Sequence, residues 1–112
     1  MSVDTKNVKA GQEFSCAVVD DNKVACWGSA GFGKMGVSDT NNRRLNPEIT
    51  MDFAGKLSKI MHLSLGQYHT CVIGESALDS SKHLLFCTGS NTYGQVSGSG
   101  TMVTSPREVF FP

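Results

Sequence analysis

The sequence predicts an all-β protein made of two copies of one antiparallel four-stranded unit, residues 1–54 and 55–112. Three observations carry this expectation. Gly11-Gln12-Glu13-Phe14-Ser15-Cys16-Ala17-Val18 reappears as Gly66-Gln67-Tyr68-His69-Thr70-Cys71-Val72-Ile73, an offset of 71 − 16 = 55 residues. Downstream, Cys26-Trp27-Gly28-Ser29-Ala30-Gly31-Phe32-Gly33-Lys34-Met35 corresponds to Cys87-Thr88-Gly89-Ser90-Asn91-Thr92-Tyr93-Gly94-Gln95-Val96 at 87 − 26 = 61, and Pro47 to Pro106 at 106 − 47 = 59. The 12 glycines mark a turn-rich chain, which puts helical readings at a disadvantage. Self-similarity at this period indicates an array, a solenoid or a propeller.

The elements follow in order. Asn7-Val8-Lys9-Ala10 is the first extended candidate, ending at Gly11. Ser15-Cys16-Ala17-Val18-Val19 and Lys23-Val24-Ala25-Cys26-Trp27 are β-prone runs around Asp20-Asp21-Asn22, three residues that favour a turn, so they read as a hairpin. A three-residue loop sets Val19 against Lys23, and counting outward sets Cys16 against Cys26, where a disulfide is geometrically allowed. Pro47-Glu48-Ile49-Thr50-Met51 reads as a fourth strand begun by proline.

The second unit repeats this order. Lys59-Ile60-Met61-His62-Leu63-Ser64-Leu65 precedes Gly66, and Thr70-Cys71-Val72-Ile73 and Leu84-Leu85-Phe86-Cys87 flank a longer polar connection over 74–83 that absorbs the change in offset. Pro106-Arg107-Glu108-Val109-Phe110-Phe111 supplies its fourth strand. Four short strands per repeat is the make-up of a propeller blade.

The combination of Gly66-Gln67-Tyr68-His69-Thr70-Cys71, a hairpin, Cys26-Trp27-Gly28-Ser29 or Thr88-Gly89-Ser90-Asn91-Thr92-Tyr93-Gly94-Gln95, and a Pro-initiated strand resembles the regulator of chromosome condensation repeat over nearly the whole chain. That resemblance implies a β-propeller, commonly of seven blades, whose members exchange nucleotide on a small GTPase, inhibit a secreted enzyme, or serve as interaction surfaces; fold alone does not choose among these. Two blades make an incomplete propeller unless other copies or further sequence complete it. The two whole periods in the chain suit an assembling unit, in a closed ring or an open filament.

Composition narrows the function. Ten basic and ten acidic side chains cancel, so net charge argues for neither nucleic acid nor an anionic membrane, and Asn42-Arg43-Arg44 is a short cluster best read as a solvated loop. No stretch approaches the ~20 apolar residues of a membrane span, and the polar start Met1-Ser2-Val3-Asp4-Thr5-Lys6 is no signal peptide.

Gly28-Ser29-Ala30-Gly31-Phe32-Gly33-Lys34 has the spacing of a phosphate-binding loop, but Met35 stands where a magnesium-binding hydroxyl is required, and the counterpart at 89–95 lacks the lysine. These glycines read instead as tight turns or close strand approaches. Zinc is disfavoured because no Cys-x-x-Cys element occurs, leaving one disulfide per hairpin or four buried thiols as the alternatives for Cys16, Cys26, Cys71 and Cys87. His69 and Cys71 share strand parity, yet the counterpart of His69 is Phe14, so a packed imidazole is expected rather than a catalyst. Phe14, Trp27, Phe32, Tyr68, Phe86 and Tyr93 sit at or beside repeat-matched positions and read as blade core.

The expectation is therefore a non-enzymatic, cofactor-free structural or protein-interaction module that self-assembles through its blade edges, with Val8, Val109, Phe110 and Phe111 as interface candidates. The alternative is part of a larger propeller that regulates a small GTPase or inhibits an enzyme by binding it. Paired cysteines imply an extracellular or surface location; free ones leave the cytoplasm or nucleus equally open.

Overall fold

In the computed structural model, which describes residues 3–11, 13–29, 36, 43–91, 96, 100 and 102–110, the chain forms two antiparallel sheets. β1 (Val3–Ala10), β2 (Phe14–Val19), β3 (Lys23–Ser29) and β4 (Arg43–Asp52) make one sheet in the order β1-β2-β3-β4. β5 (Leu57–Leu65), β6 (His69–Ser76), β7 (His83–Ser90) and β8 (Met102–Val109) make the other in the order β5-β6-β7-β8. Each strand pairs with its neighbour in sequence, and among the described residues the two sheets do not close into a ring.

The first hairpin has the register read from its loop, Val19 opposite Lys23 and Cys16 opposite Cys26. Asp20 and Asp21 turn the chain with φ of +50° and +67°, a left-handed conformation that aspartate tolerates better than most side chains. The second hairpin sets Cys71 opposite Cys87, but β6 runs on to Ser76 and β7 begins at His83, so its connection is shorter than the expected 74–83. There Ser76 N–H donates to the Lys82 carbonyl at 2.9 Å and gathers the polar loop at its base.

Both fourth strands differ from expectation, because β4 starts at Arg43 and β8 at Met102, each ahead of its proline. The reason is a bulge. Residues 45–47 lie opposite Trp27 alone, between the pairs Cys26↔Glu48 and Gly28↔Arg44, and residues 104–106 lie opposite Thr88 in the same way, between Cys87↔Arg107 and Gly89↔Val103. Proline in a bulge of an edge strand leaves no ladder bond unmade, so it does not have to begin the strand. β1 likewise starts earlier than read, at Val3, beyond an irregularity between Val3 and Val8.

Gly28 and Gly89 show why each third strand carries Gly-Ser. Their φ values are +104° and +119°, and a Cβ on Gly28 would lie 2.5 Å from the Glu13 carbonyl oxygen, while one on Gly89 would meet the Tyr68 oxygen. The close approach serves a hydrogen bond, because Ser29 N–H donates to Glu13 O at 2.8 Å and Ser90 N–H to Tyr68 O at 2.7 Å.

The main core lies between the sheets. Phe14, Cys16, Val18, Val24, Cys26 and Met51 of the first sheet pack with Leu57, Ile60, Leu63, Val72 and Phe86 of the second. Phe53, in the link between them, packs its ring on Phe86 with centroids 5.2 Å apart. The tip of the first hairpin is tied to the same junction. Ile60 N–H donates to Asp21 O at 2.7 Å, Phe53 N–H to Asn22 O at 2.9 Å, and the Asn7 amide to Met61 O at 3.3 Å. Burial of each large side chain here contributes roughly 1.5–3 kcal/mol, so sheet packing and hairpin tip hold one arrangement together.

Candidate protein-interaction surface

Alternation along a strand gives each sheet two faces, and register defines the rows that cross them. On the first sheet the row Val18, Val24, Met51 belongs to the face that meets the second sheet, with Cys16 and Cys26 beside it. Call this the leading face. The opposite, trailing face carries the row Val8, Ala17, Ala25, Ile49. In the second sheet the trailing row is Leu63, Val72, Phe86, which packs on the first sheet, and the leading row is His62, Ile73, Leu85, Val109.

The four rows differ in what covers them. Val18 and Val24 are wholly buried and Met51 is 3% exposed, whereas Ile73, the counterpart of Val18, is 37% exposed, and Leu85 and Val109 are half-buried. On the trailing side, Leu63, Val72 and Phe86 are buried; on the first sheet, Val8 and Ile49 stand 48% and 43% exposed on either side of the buried Ala17 and Ala25. The second leading face is partly covered by Val96 and by Val103 of β8, which pack on Cys87, with Cys71, Leu85 and Val109 against them. Val96 and Gly100 are tied to Asn91, whose side-chain oxygen accepts from Val96 N–H at 2.9 Å and whose amide donates to Gly100 O at 3.1 Å.

Each leading face contains a disulfide. Cys16–Cys26 and Cys71–Cys87 both link directly opposed residues of a hairpin, with Cα atoms 4.1 Å apart. The first is sealed beneath the second sheet, and Cys71 of the second is only half-buried. With its sulfur bonded to Cys87, Cys71 offers no thiolate for His69 to activate. The His69 ring lies against Gly66, as the Phe14 ring lies against Gly11, and the two glycines donate the matching bonds to His69 O and Phe14 O at 2.8 Å. Phe14 is buried by the neighbouring sheet; His69 is half-buried.

Of the interface candidates, Val8 lies in the open trailing row and Phe110 is 79% exposed beyond β8. Val109 is instead partly packed in the second leading face, and Phe111 lies outside the described residues. Reasoning from chain ends missed the exposed Ile49 and Ile73 and the half-buried Leu85 on these faces; pairing the repeats position by position marks Ile73 and Leu85 as counterparts of Val18 and Val24. Phe14 and Phe86 are core, Trp27 is half-buried, and Tyr68, expected in the core, is exposed, its hydroxyl oxygen accepting from the Gln67 side-chain amide at 3.0 Å. Phe32 and Tyr93 lie outside the described residues, as does most of the glycine-rich loop beyond Ser29, Lys34 and Met35 included.

Among the described residues no group of three His, Cys, Asp or Glu is placed to hold a metal, and no helix is long and apolar enough to cross a membrane. The resolved electrostatic feature lies elsewhere: Ser81 hydroxyl and N–H donate to the Asp79 carboxylate at 2.6 and 3.0 Å and hold its pKa below the usual value.

Two stacked four-stranded sheets of matching internal register define a pair of propeller-type blades, the class of repeat proteins built by adding like units side by side. The family model of the Regulator of chromosome condensation (RCC1) repeat matches residues 6–34, a span that begins within β1 and includes β2 and β3. It is 32% identical over 76 residues to the serine/threonine-protein kinase Nek9 of Mus musculus, a match over 65% of this chain and 8% of the kinase. It is also similar to the crystal structure of human WBSCR16, with a TM-score of 0.70 and 25% identity over 97% of this chain and 25% of that one. The chain thus spans a small part of each of these proteins.

Proposed function

We propose that this chain is a non-enzymatic protein-interaction module that works through the blade faces on which no other blade is seated and takes further copies of itself as partners. The observation that carries the reading is the repeat itself: the row Ile73, Leu85, Val109 stands where Val18, Val24 and Met51 stand in the first blade, and only the latter row has a blade seated on it. An apolar face that the chain covers once internally is a surface suited to a second like contact. The paired cysteines support a setting outside the reducing cytosol. Sedimentation velocity across a wide concentration range tests self-association, with oligomers growing as concentration rises; a well-folded monomer at every concentration refutes it.

A second reading is favoured by the share of the similar proteins that the chain covers, 25% of one and 8% of the other. In it, the two blades are part of a larger propeller that binds a protein partner, such as a small GTPase or an enzyme it inhibits. Poor folding of the isolated chain, rescued by further blades supplied on the same polypeptide, supports that alternative.

A further inference from the structure

We infer that association is head to tail: the leading row Ile73, Leu85, Val109 of one copy seats on the trailing row Val8, Ala17, Ala25, Ile49 of a second copy. The inference rests on the self-association proposed above and assigns its two surfaces and their order.

The contact between the blades of one chain provides the pattern. A leading row, Val18, Val24, Met51, receives a trailing row, Leu63, Val72, Phe86, and all six side chains are buried. The two open rows are the register counterparts of these, so joining them continues the existing interface with the same polarity.

Side-chain size then distinguishes this pairing from the alternatives. On the open leading face, Ile73 and Leu85 replace Val18 and Val24, each larger by one carbon. On the open trailing face, Ala17 and Ala25 replace Val72 and Phe86 and are therefore smaller. Val109 stands for Met51 and is smaller, so growth on the leading face is confined to Ile73 and Leu85; there it is met by the two alanines of the trailing face, the large-against-small match that packed layers require. Leading face on leading face opposes Ile73 and Leu85 to themselves. Trailing on trailing leaves the two alanines facing alanines between the raised Val8 and Ile49. Both symmetric pairings forfeit the match. The contact is accordingly heterologous, with unlike surfaces meeting, and such contacts propagate into rings or filaments.

Two variants separate the surfaces. Ile73→Asp puts a charge on the leading row, and the double change Val8→Asp with Ile49→Asp does so on the trailing row; all three positions are solvent-exposed, so the fold tolerates them. A carboxylate buried in an apolar contact weakens association by about a hundredfold or more. The expected result is that wild type assembles beyond a dimer, each variant alone is monomeric, and an equimolar mixture forms a one-to-one heterodimer that grows no further. If either variant alone still dimerises, or if the mixture stays monomeric while wild type assembles, the head-to-tail assignment is wrong and self-association stands. Monomeric wild type removes both. Circular dichroism verifies each fold, and Val109→Asp with the single change Ile49→Asp supplies a second pair should either first variant unfold.

Discussion

Replacing Gly28 by alanine tests the close approach between β2 and β3 that each blade repeats. The residue holds φ at +104°, where an L side chain is strained by about 1–3 kcal/mol. Its new Cβ would also fall 2.5 Å from Glu13 O and 2.8 Å from Phe14 Cα, so the backbone of the neighbouring strand has to retreat. That retreat acts like overpacking, about 1–3 kcal/mol, and it stretches the 2.8 Å bond from Ser29 N–H to Glu13 O, worth about 1 kcal/mol. The sum is about 3–7 kcal/mol. Gly55 is the matched control, because its φ is +86° but nothing lies within 4 Å of the position of a Cβ, leaving only the same backbone strain of about 1–3 kcal/mol. Urea denaturation followed by far-ultraviolet circular dichroism should separate Gly28→Ala from Gly55→Ala by about 2 kcal/mol or more. At about 4–8 °C per kcal/mol, the melting temperatures should differ by roughly 8–16 °C. Equal losses within about 0.5 kcal/mol would refute the argument that strand contact, and not dihedral angle alone, requires glycine there.

The remaining predictions concern chemistry at the loops and faces. Mild thiol reductant with trapping by alkylation and peptide mass mapping should open Cys71–Cys87 before Cys16–Cys26, since Cys71 is half-buried while both partners of the other bond are sealed; simultaneous or reversed opening contradicts the assigned faces. Nuclear magnetic resonance titration should find the Asp79 carboxyl midpoint below 3.8, and Ser81→Ala should move it upward, because the Ser81 hydroxyl is the larger cause of the shift. A lowered carboxyl pKa stabilises the loop above the ordinary value and loses that contribution as pH falls through the folded one. An unchanged midpoint in Ser81→Ala would dismiss the hydroxyl as the cause.

The hairpins were legible because their determinants are local. Three turn-forming residues after Val19 set the pairing, and counting from them placed Cys16 opposite Cys26, as the strands have it. The starts of β4 and β8 were not, since proline is also accepted in a bulge, and residues 45–47 and 104–106 reveal their bulges only against β3 and β7. Tyr68 misled for a related reason: it stands beside the repeat-matched His69 in the turn before β6, and its ring is exposed. Burial of a face is settled by the next sheet, so Val18 and Ile73 look alike as strand residues yet differ in what covers them. Aligning the repeats by register, rather than looking toward the chain ends, is what identifies Ile73, Leu85 and Ile49 as surface.

Each disulfide closes within one hairpin, over 10 and 16 residues, and neither joins blade to blade. Four cysteines allow three pairings, and the one adopted spans the least chain, so the correct bonds are also those that diffusing thiols meet first. During synthesis the first hairpin can oxidise before the cysteines of the second have been made. A gene segment encoding a blade therefore carries its own covalent staple with it. Duplication or deletion of such a segment changes the number of blades without leaving a cysteine orphaned, and the covalent chemistry of the protein is inherited one unit at a time.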